Sequence, residues 1–593
     1  MADNYRITQY SVSAILGYVE HSQIAIPEIQ RPFVWKGQEV RALIDSLYEG
    51  YPIGYLIVWQ NSQVRLRGFG RGGTKKILID GQQRVTALMA ALMGKEVLDS
   101  QYRSHRIKIA FYPLAQPGEE RFAVSDQSYE EKPEWISDIS VLFRRDFSFR
   151  QFEKEYKAKN PDTDIALLEK SIDRLKGITK HQVGVIELSF LLDIDVVSEI
   201  FIRINLQGKP LNQEDFAMSK ISVNEQYDGD FIRNAIDYFC HLMKEPSFMT
   251  VLRQKEPEFM QSKYGKALSW LTEEENFLYV PSYSDVLKVV LISEFGKSKV
   301  GDLVNLLSGK TMEVGKKGIS PQLAKESFEK LGHGVRAFVS EKNYKGFVGA
   351  LARAGYNCER LLYSQSVLNY CYAMYLLMDA EGLSEEKKAS LTGRWMVMSM
   401  VTGHYQSSPD SVVVKDFREI KENGMEGYLE QVEELRMNDM FFESVLPQKF
   451  ASTTSRTAPV LAYLAAQTAT GALSLYSKTE TIGSLYAAKG DSCQILPRAY
   501  LEKCGFKTRE IYGQAANLTY LSKEVRAVVK RKSPKDYQNA LFRLMSEEEV
   551  RASLAANDIP ETIFEAETVG VEKVLEERRK AMARKIETYY RTL

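Results

Sequence analysis

At 593 residues the chain is too long for one hydrophobic core, which rarely grows past about 250–300 residues, so roughly two to four domains are expected. An apolar content of 44% with 32 tyrosines and 27 phenylalanines describes a folded protein, and 78 basic against 78 acidic side chains exclude a coat that holds nucleic acid by overall charge. Five scattered cysteines (Cys240, Cys358, Cys371, Cys493 and Cys504) form no Cys-x-x-Cys pair and exclude a zinc knuckle or a disulfide framework.

In chain order, Met1-Ala2-Asp3-Asn4-Tyr5 lacks the basic and apolar regions of a signal peptide. The longest apolar stretches, such as Tyr370 to Met378, are too short to span a bilayer, so a cytoplasmic protein without a membrane partner is expected. After the phrase Ile29-Gln30-Arg31-Pro32-Phe33-Val34-Trp35, the apolar spacing of Val40, Leu43, Ile44, Leu47 and Tyr48 predicts a helix over 38–49. Tyr51-Pro52-Ile53-Gly54 then leads into a strand at 55–59. Trp35 and Trp59 adjoin apolar runs and read as core.

Gly68-Phe69-Gly70-Arg71-Gly72-Gly73 matches G-x-G-x-x-G, but the segment after it is a strand, Ile77-Leu78-Ile79, rather than the helix a dinucleotide fingerprint requires. It reads as a loop whose basic residues, Arg65, Arg67, Arg71, Lys75 and Lys76, suit either DNA phosphates or plain solvation. Residues 106–111 alternate like a strand, and 183–188 close an α/β or α+β domain ending near 225. Asn212, with Asp215 three positions on, suits a helix cap after Glu199–Leu211. Residues 226–450 read as helical, with a surface loop at 309–322. From 451 the composition turns alanine-rich and then basic, ending in a charged helix over 571–592.

The most specific local signal is Ile79-Asp80-Gly81-Gln82-Gln83-Arg84-Val85-Thr86. Val85, Leu88, Met89, Leu92 and Met93 share one helical face, which places Asp80-Gly81 at a strand-to-helix junction. The first amides of a helix lack internal partners, and such a junction favours a phosphate. Arg84, in the first turn, suits a two-pronged contact with the same oxygens. Asp80 suits proton acceptance, orientation of a water, or magnesium beside a phosphate, while Gln82 and Gln83 offer neutral donors and acceptors. The plainer reading makes Asp80 a helix cap and Arg84 a surface ion-pair partner.

The ordered phrases at 27–35, 51–54 and 79–84, followed by Glu199-Ile200-Phe201-Ile202-Arg203-Ile204-Asn205-Leu206-Gln207-Gly208-Lys209-Pro210-Leu211, resemble the N-terminal domain of GmrSD-type, type IV restriction proteins. These are bacterial anti-phage proteins that act on modified DNA. The resemblance implies a fold related to ParB and sulfiredoxin domains, with nucleoside triphosphate binding and hydrolysis. Asp80, Gln83 and Arg84 are then the catalytic candidates. Gln30, Arg31, Gly81, Gln82, Thr86, Arg203 and Asn205 are the nucleotide-binding candidates, although Arg203 and Asn205 are equally explained as braces of the domain. The implied cofactor is a nucleoside triphosphate with Mg2+.

The last third, through Ile495-Leu496-Pro497-Arg498 and Ala516-Asn517-Leu518-Thr519, resembles the HNH nuclease domain of the same family. Working members carry Asp-His or His-His just before the Ile-x-Pro; here those positions are Cys493 and Gln494. Glutamine has no titratable group near neutral pH and cannot act as a general base. Cysteine is a soft ligand, ill suited to magnesium. Asn517 matches the family's asparagine, Val525-Arg526-Ala527 stands where Asn-Arg-Lys is usual, and no histidine follows His404. No metal site is assigned there. The basic run including Lys530, Arg531 and Lys532 reads as a candidate DNA contact or a solvated charged face.

The expected architecture is a multidomain α+β chain, mostly helical overall. It has a ParB/sulfiredoxin-like α/β domain at 1–225, a helical domain at 226–450 and a degenerate HNH-like domain at 451–593. The expected function is a component of an anti-phage type IV system that binds and hydrolyses a nucleotide and senses modified DNA, with cleavage left to a partner nuclease; a homo-oligomer is compatible with it. The alternatives are a self-contained endonuclease with an unorthodox HNH site, and a non-catalytic ParB-like DNA-binding or scaffolding protein.

Overall fold

The computed structural model describes residues 4–21, 23–25, 33, 35–61, 75–98, 104–116, 118–192, 196–197, 200, 213–222, 224–272, 277–310, 320–490, 492–530 and 532–593. Among the described residues the fold is mixed, about 63% helical with small sheets. The chain divides into two compact units, Met1–Ser262 with Leu271–Glu274, and Lys263–Trp270 with Glu275–Leu593. No helix among the described residues is long and apolar enough to cross a membrane.

The first unit is built on a five-stranded sheet. Its strands are β1 (Tyr5–Ser11), β2 (Ile24–Ala25), β3 (Tyr55–Asn61), β4 (Lys75–Asp80) and, after two short hairpins, β9 (Gln182–Leu188). The hairpins are β5 (Val97–Leu98) with β6 (Ser104–His105), and β7 (Ile109–Phe111) with β8 (Phe122–Val124). The sheet order is β1-β9-β3-β4-β2. β1 is antiparallel to β9, β9 parallel to β3, β3 antiparallel to β4, and β4 parallel to β2.

Period-two alternation gives the sheet two apolar faces. Leu56, Val58, Leu78, Val183 and Val185 join one core with α1 (Val12–Glu20), α2 (Gly37–Tyr48) and α3 (Gln82–Met93). Ile57, Trp59, Ile77 and Leu188 form a smaller cluster with Val197 on the other face. The five residues chosen from the periodicity of 38–49 are the buried face of α2. Trp59 is core, its indole donating to the Ser189 carbonyl at 3.2 Å, and Trp35 packs at the margin of the larger core.

The strand expected at 106–111 is shorter than its alternation suggests, because only 109–111 pair with β8. Arg106 turns aside to Asp138 (2.8 Å) and the Ser140 hydroxyl (3.2 Å). The helix Gln213–Ser222 begins directly after Asn212. The unit continues through α4 (Gly229–Leu242).

The second unit opens with a helical layer: α5 (Tyr283–Phe295), α6 (Pro321–Val339), α7 (Glu341–Arg353), α8 (Gln365–Ala380) and α9 (Glu385–Thr402). α8 is buried on every side from Val367 to Met378, as its unbroken apolar run requires. The expected loop at 309–322 falls largely on 311–319, outside the described residues. After α10 (Ala458–Ala469) comes the hairpin β10 (Ser492–Gln494) with β11 (Leu518–Tyr520), its strands bracketing α11 (Arg498–Lys503). Then follow α12 (Lys523–Val529), α13 (Pro534–Leu541), α14 (Glu547–Ala556) and the charged helix α15 (Val571–Tyr590). α15 reaches back to the helical layer, where Tyr589 donates to the Ala354 carbonyl at 2.5 Å and Tyr590 to Glu433.

Candidate functional site

β4 ends at Asp80 and α3 begins at Gln82, so Asp-Gly sits at the strand-to-helix turn. The β3–β4 register shifts beside it, with Val58 opposite Leu78 but Ile57 opposite Asp80. A bulge of this kind bends a strand and re-aims the side chain next to it. Gly81 is the N-cap at φ +93°. A Cβ there would lie 2.2 Å from the Leu56 side chain, so both conformation and space demand glycine. The plain reading of Asp80 as the cap is therefore replaced: Gly81 holds that position, and no capping side chain competes for the start of the helix.

Arg84 has two visible partners. It donates to the Ile53 carbonyl at 2.8 Å and to Asp80 Oδ2 at 3.2 Å. Burial lowers its pKa and the Asp80 charge opposes that shift. The guanidinium threads between two glycines, since a Cβ on Gly54 (φ +84°) would sit 2.7 Å from it and one on Gly81 3.3 Å. Arg84 thereby ties the Tyr51–Gly54 phrase to the Asp-Gly turn, which gives a physical reason for the two phrases to occur together. Arg84, assigned from sequence to phosphate oxygens, here lies against the carboxylate of Asp80.

Gln82 is buried and donates to the Leu78 carbonyl at 2.9 Å, so its amide serves the turn. Gln83 and Thr86, one turn apart and half-buried, share a helix side as i and i+3 neighbours. Gln30 and Arg31, Arg203 and Asn205, and the loop residues Arg65, Arg67 and Arg71 lie outside the described residues. Replacing Gly81 with alanine is expected to cost about 1–3 kcal/mol, through an unfavourable φ and the Leu56 clash, and to lower the melting temperature of the first unit in calorimetry.

Sequence reasoning missed a polar cluster on the same sheet. Glu187 of β9 meets Arg6, Tyr10 and Lys76, drawn from β1 and β4. Burial works against the charge of Glu187, yet these partners together hold its pKa below the usual value. Burial likewise opposes Lys76, and Glu187 and Tyr10 raise its pKa on balance. Lys76, grouped above with a basic loop suited to DNA phosphates or to plain solvation, is thus engaged with Glu187 and Tyr10. The isolated charge in the alternating run 183–188 was the available signal.

In the second unit, Gln494 and Asn517 act as braces. Gln494 donates to the Tyr512 carbonyl at 3.0 Å, and its oxygen accepts from the Arg498 amide at 2.9 Å at the start of α11. Asn517 is fully buried, donates to the carbonyls of Leu496 (3.0 Å) and Tyr512 (2.9 Å), and accepts from the Leu496 amide (2.9 Å). Burial raises the Cys493 thiol pKa, while Arg526 and Lys530 pull it down less strongly. Lys530 and Lys532 are exposed and Arg531 lies outside the described residues. Among the described residues no group of three or more His, Cys, Asp or Glu is placed to hold a metal ion. Magnesium commonly takes one or two carboxylates plus substrate phosphates, a mode that Asp80 alone fits.

Residues 15–222 match the family model described as GmrSD restriction endonuclease, N-terminal domain. No curated protein matches the chain. The matched segment contains the whole Asp80–Arg84 junction and its Ile53–Gly54 support. The first unit therefore carries a domain similar to the N-terminal domain of GmrSD restriction endonucleases.

Proposed function

We propose that the first unit binds and hydrolyses a nucleoside triphosphate at the β4–α3 junction, and that the protein senses modified DNA while a partner nuclease cuts it. The observation that carries this reading is Asp80, set by the bulge beside a helix start whose N-cap has no side chain. Asp80 would hold magnesium beside the phosphates and orient the attacking water. Bound there, the ion would neutralise developing phosphate charge. Arg84 fixes the Asp80 carboxylate from a second direction, and Gln83 with Thr86 offers polar contacts along the next turn.

The reading that cleavage comes from elsewhere is supported by Gln494. Both ends of its amide are engaged with the backbone, and it offers no proton-accepting group. Exposed Lys530 and Lys532 support DNA contact through local charge. The test uses the purified full chain with magnesium or manganese and each nucleotide, on modified and unmodified DNA. The expected result is nucleotide turnover without DNA cutting. A Gln494→His variant is also expected not to cut, since it loses the Tyr512 and Arg498 contacts without regaining the divergent residues near Arg526. Robust cutting by the wild type that disappears in Gln494→Ala would establish a self-contained nuclease; absence of turnover would favour a non-catalytic DNA-binding protein.

A further inference from the structure

In the second unit, α10 begins without a side-chain cap. Thr457 holds the N-cap position but its side chain makes no capping hydrogen bond, and Pro459 has no amide to donate. The amides of Ala458 and Val460 find no acceptor among the described residues. A helix start left open in this way carries partial positive charge.

Two arginines stand beside it. Arg456, exposed and one residue before the cap, donates to the Arg360 carbonyl at 3.2 Å. Arg360 lies over the Tyr486 ring at 4.5 Å, and that ring meets Tyr520 of β11 edge-on at 5.3 Å. Burial raises the phenol pKa of both tyrosines and both arginines pull it down, so the two positive charges share one neighbourhood. Neither arginine makes an ion pair among the described residues.

Behind this rim lies a cavity of about 30 Å³, walled by α10, the β10–β11 hairpin and α15. At about 10–15 Å³ for each water-sized group, it admits roughly two oxygens and no nucleoside. Ser455, Ser492 and Thr519 line it with Gln467 and Arg578, and the remaining wall is mostly apolar. Arg578 is buried, donates to the Ala516 carbonyl at 2.6 Å and is in reach of the Tyr463 hydroxyl, yet it forms no ion pair among the described residues.

Gln467 adds an independent observation. It is 2% exposed, and its side-chain amide has no hydrogen-bond partner among the described residues. The amide is not sealed away either, so it opens on the cavity it lines. An unmet amide beside a buried, unpaired cation calls for an acceptor that carries negative charge. A carboxylate has only two oxygens, whereas a tetrahedral phosphate supplies two for the cavity and two for the rim.

We propose that the start of α10 binds a phosphate group, two of its oxygens entering the cavity toward Gln467 and Arg578 and the other two meeting Arg360 and Arg456 at the rim. Free phosphate and the phosphodiester of a nucleic-acid backbone share this chemistry. The proposal does not depend on the nucleotide reading, because every residue in it lies in the second unit.

The experiment is isothermal titration calorimetry of the full chain with inorganic phosphate, at an ionic strength held constant with chloride. A short thymidine oligonucleotide and its uncharged methylphosphonate analogue are run as competitors. Phosphate is expected to bind in the presence of excess chloride. Arg456→Ala should weaken it about tenfold, through loss of a charge-assisted contact. Gln467→Met, close in volume, should weaken it severalfold while the phosphate-free protein melts no lower, since an amide without a partner leaves no broken bond behind. Alanine at Lys530 and Lys532 should leave phosphate binding unchanged. Competition by the oligonucleotide but not by its methylphosphonate analogue would assign the site to a nucleic-acid backbone; phosphate binding untouched by either would assign it to the free anion. No phosphate binding by folded protein, or binding that both variants retain in full, would overturn the proposal, and the second result would place the phosphate elsewhere on the chain.

Discussion

Asp80→Asn is expected to reduce nucleotide turnover by about 10²–10⁴ while the protein melts close to the wild type. The amide keeps the size of the side chain and can still accept from Arg84, which in the wild type lies 3.2 Å from Asp80 Oδ2. It loses the charge that would hold magnesium and orient water. Asp80→Ala should lose as much activity and also some stability, because a largely buried guanidinium then keeps only the Ile53 carbonyl. Arg84→Lys separates positioning from chemistry. A single ammonium cannot span Ile53 and Asp80 as the fork does, so KM and kcat should both worsen while residual turnover persists. Turnover in Asp80→Asn equal to that of the wild type would remove the junction from consideration as the active site.

The second large effect is on stability. Asn517→Ala is expected to destabilise the second unit by about 3–5 kcal/mol, because one fully buried amide satisfies three backbone groups. The Leu496 amide and the carbonyls of Leu496 and Tyr512 would be left in an apolar interior without partners. The measurement is calorimetry, paired with limited proteolysis of the 492–520 segment. Were Asn517 a member of a working metal site, its loss would instead depress activity and leave melting nearly intact. An unchanged melting temperature would thus return this position to a chemical role.

Much of the first unit was legible in the sequence because its signals are local. Apolar spacing is enough to find α2 and α3, and Asp-Gly between an apolar run and a helical face marks the turn. The glycine-rich phrase at 68–73 could be set aside because a strand follows it, as β4 shows. What was not legible is the direction of long side chains. Arg84 lies one helical turn from Asp80, but its bond to Ile53 crosses 31 residues of chain and exists only once β3 and β4 pair. Glu187 finds Lys76 and Tyr10 over still longer separations. Gln82 and Gln83 are adjacent and chemically identical, and only the helix phase sends Gln82 inward to Leu78. At Gln494 the sequence showed a side chain that cannot act as a general base, whereas the use of the amide as a brace depended on where Tyr512 and Arg498 fall in space.

The anchoring of α15 bears on how the second unit is made. Tyr589 and Ala354 are 235 residues apart, Tyr590 and Glu433 are 157 apart, and the Ser390 hydroxyl reaches the Leu593 carbonyl across 203. Inside the unit, Arg578 of the same helix is buried and donates to the Ala516 carbonyl at 2.6 Å, next to the Asn517 brace. Contacts so distant in sequence are reached late, after the loop-closure entropy of the intervening chain has been overcome. On the ribosome, the helical layer emerges well before the helix that clamps it. The nascent unit therefore passes through a stage in which Ala354, Glu433 and the 516–517 turn await their partners, and apolar surface is open to chaperones or to association with another nascent chain.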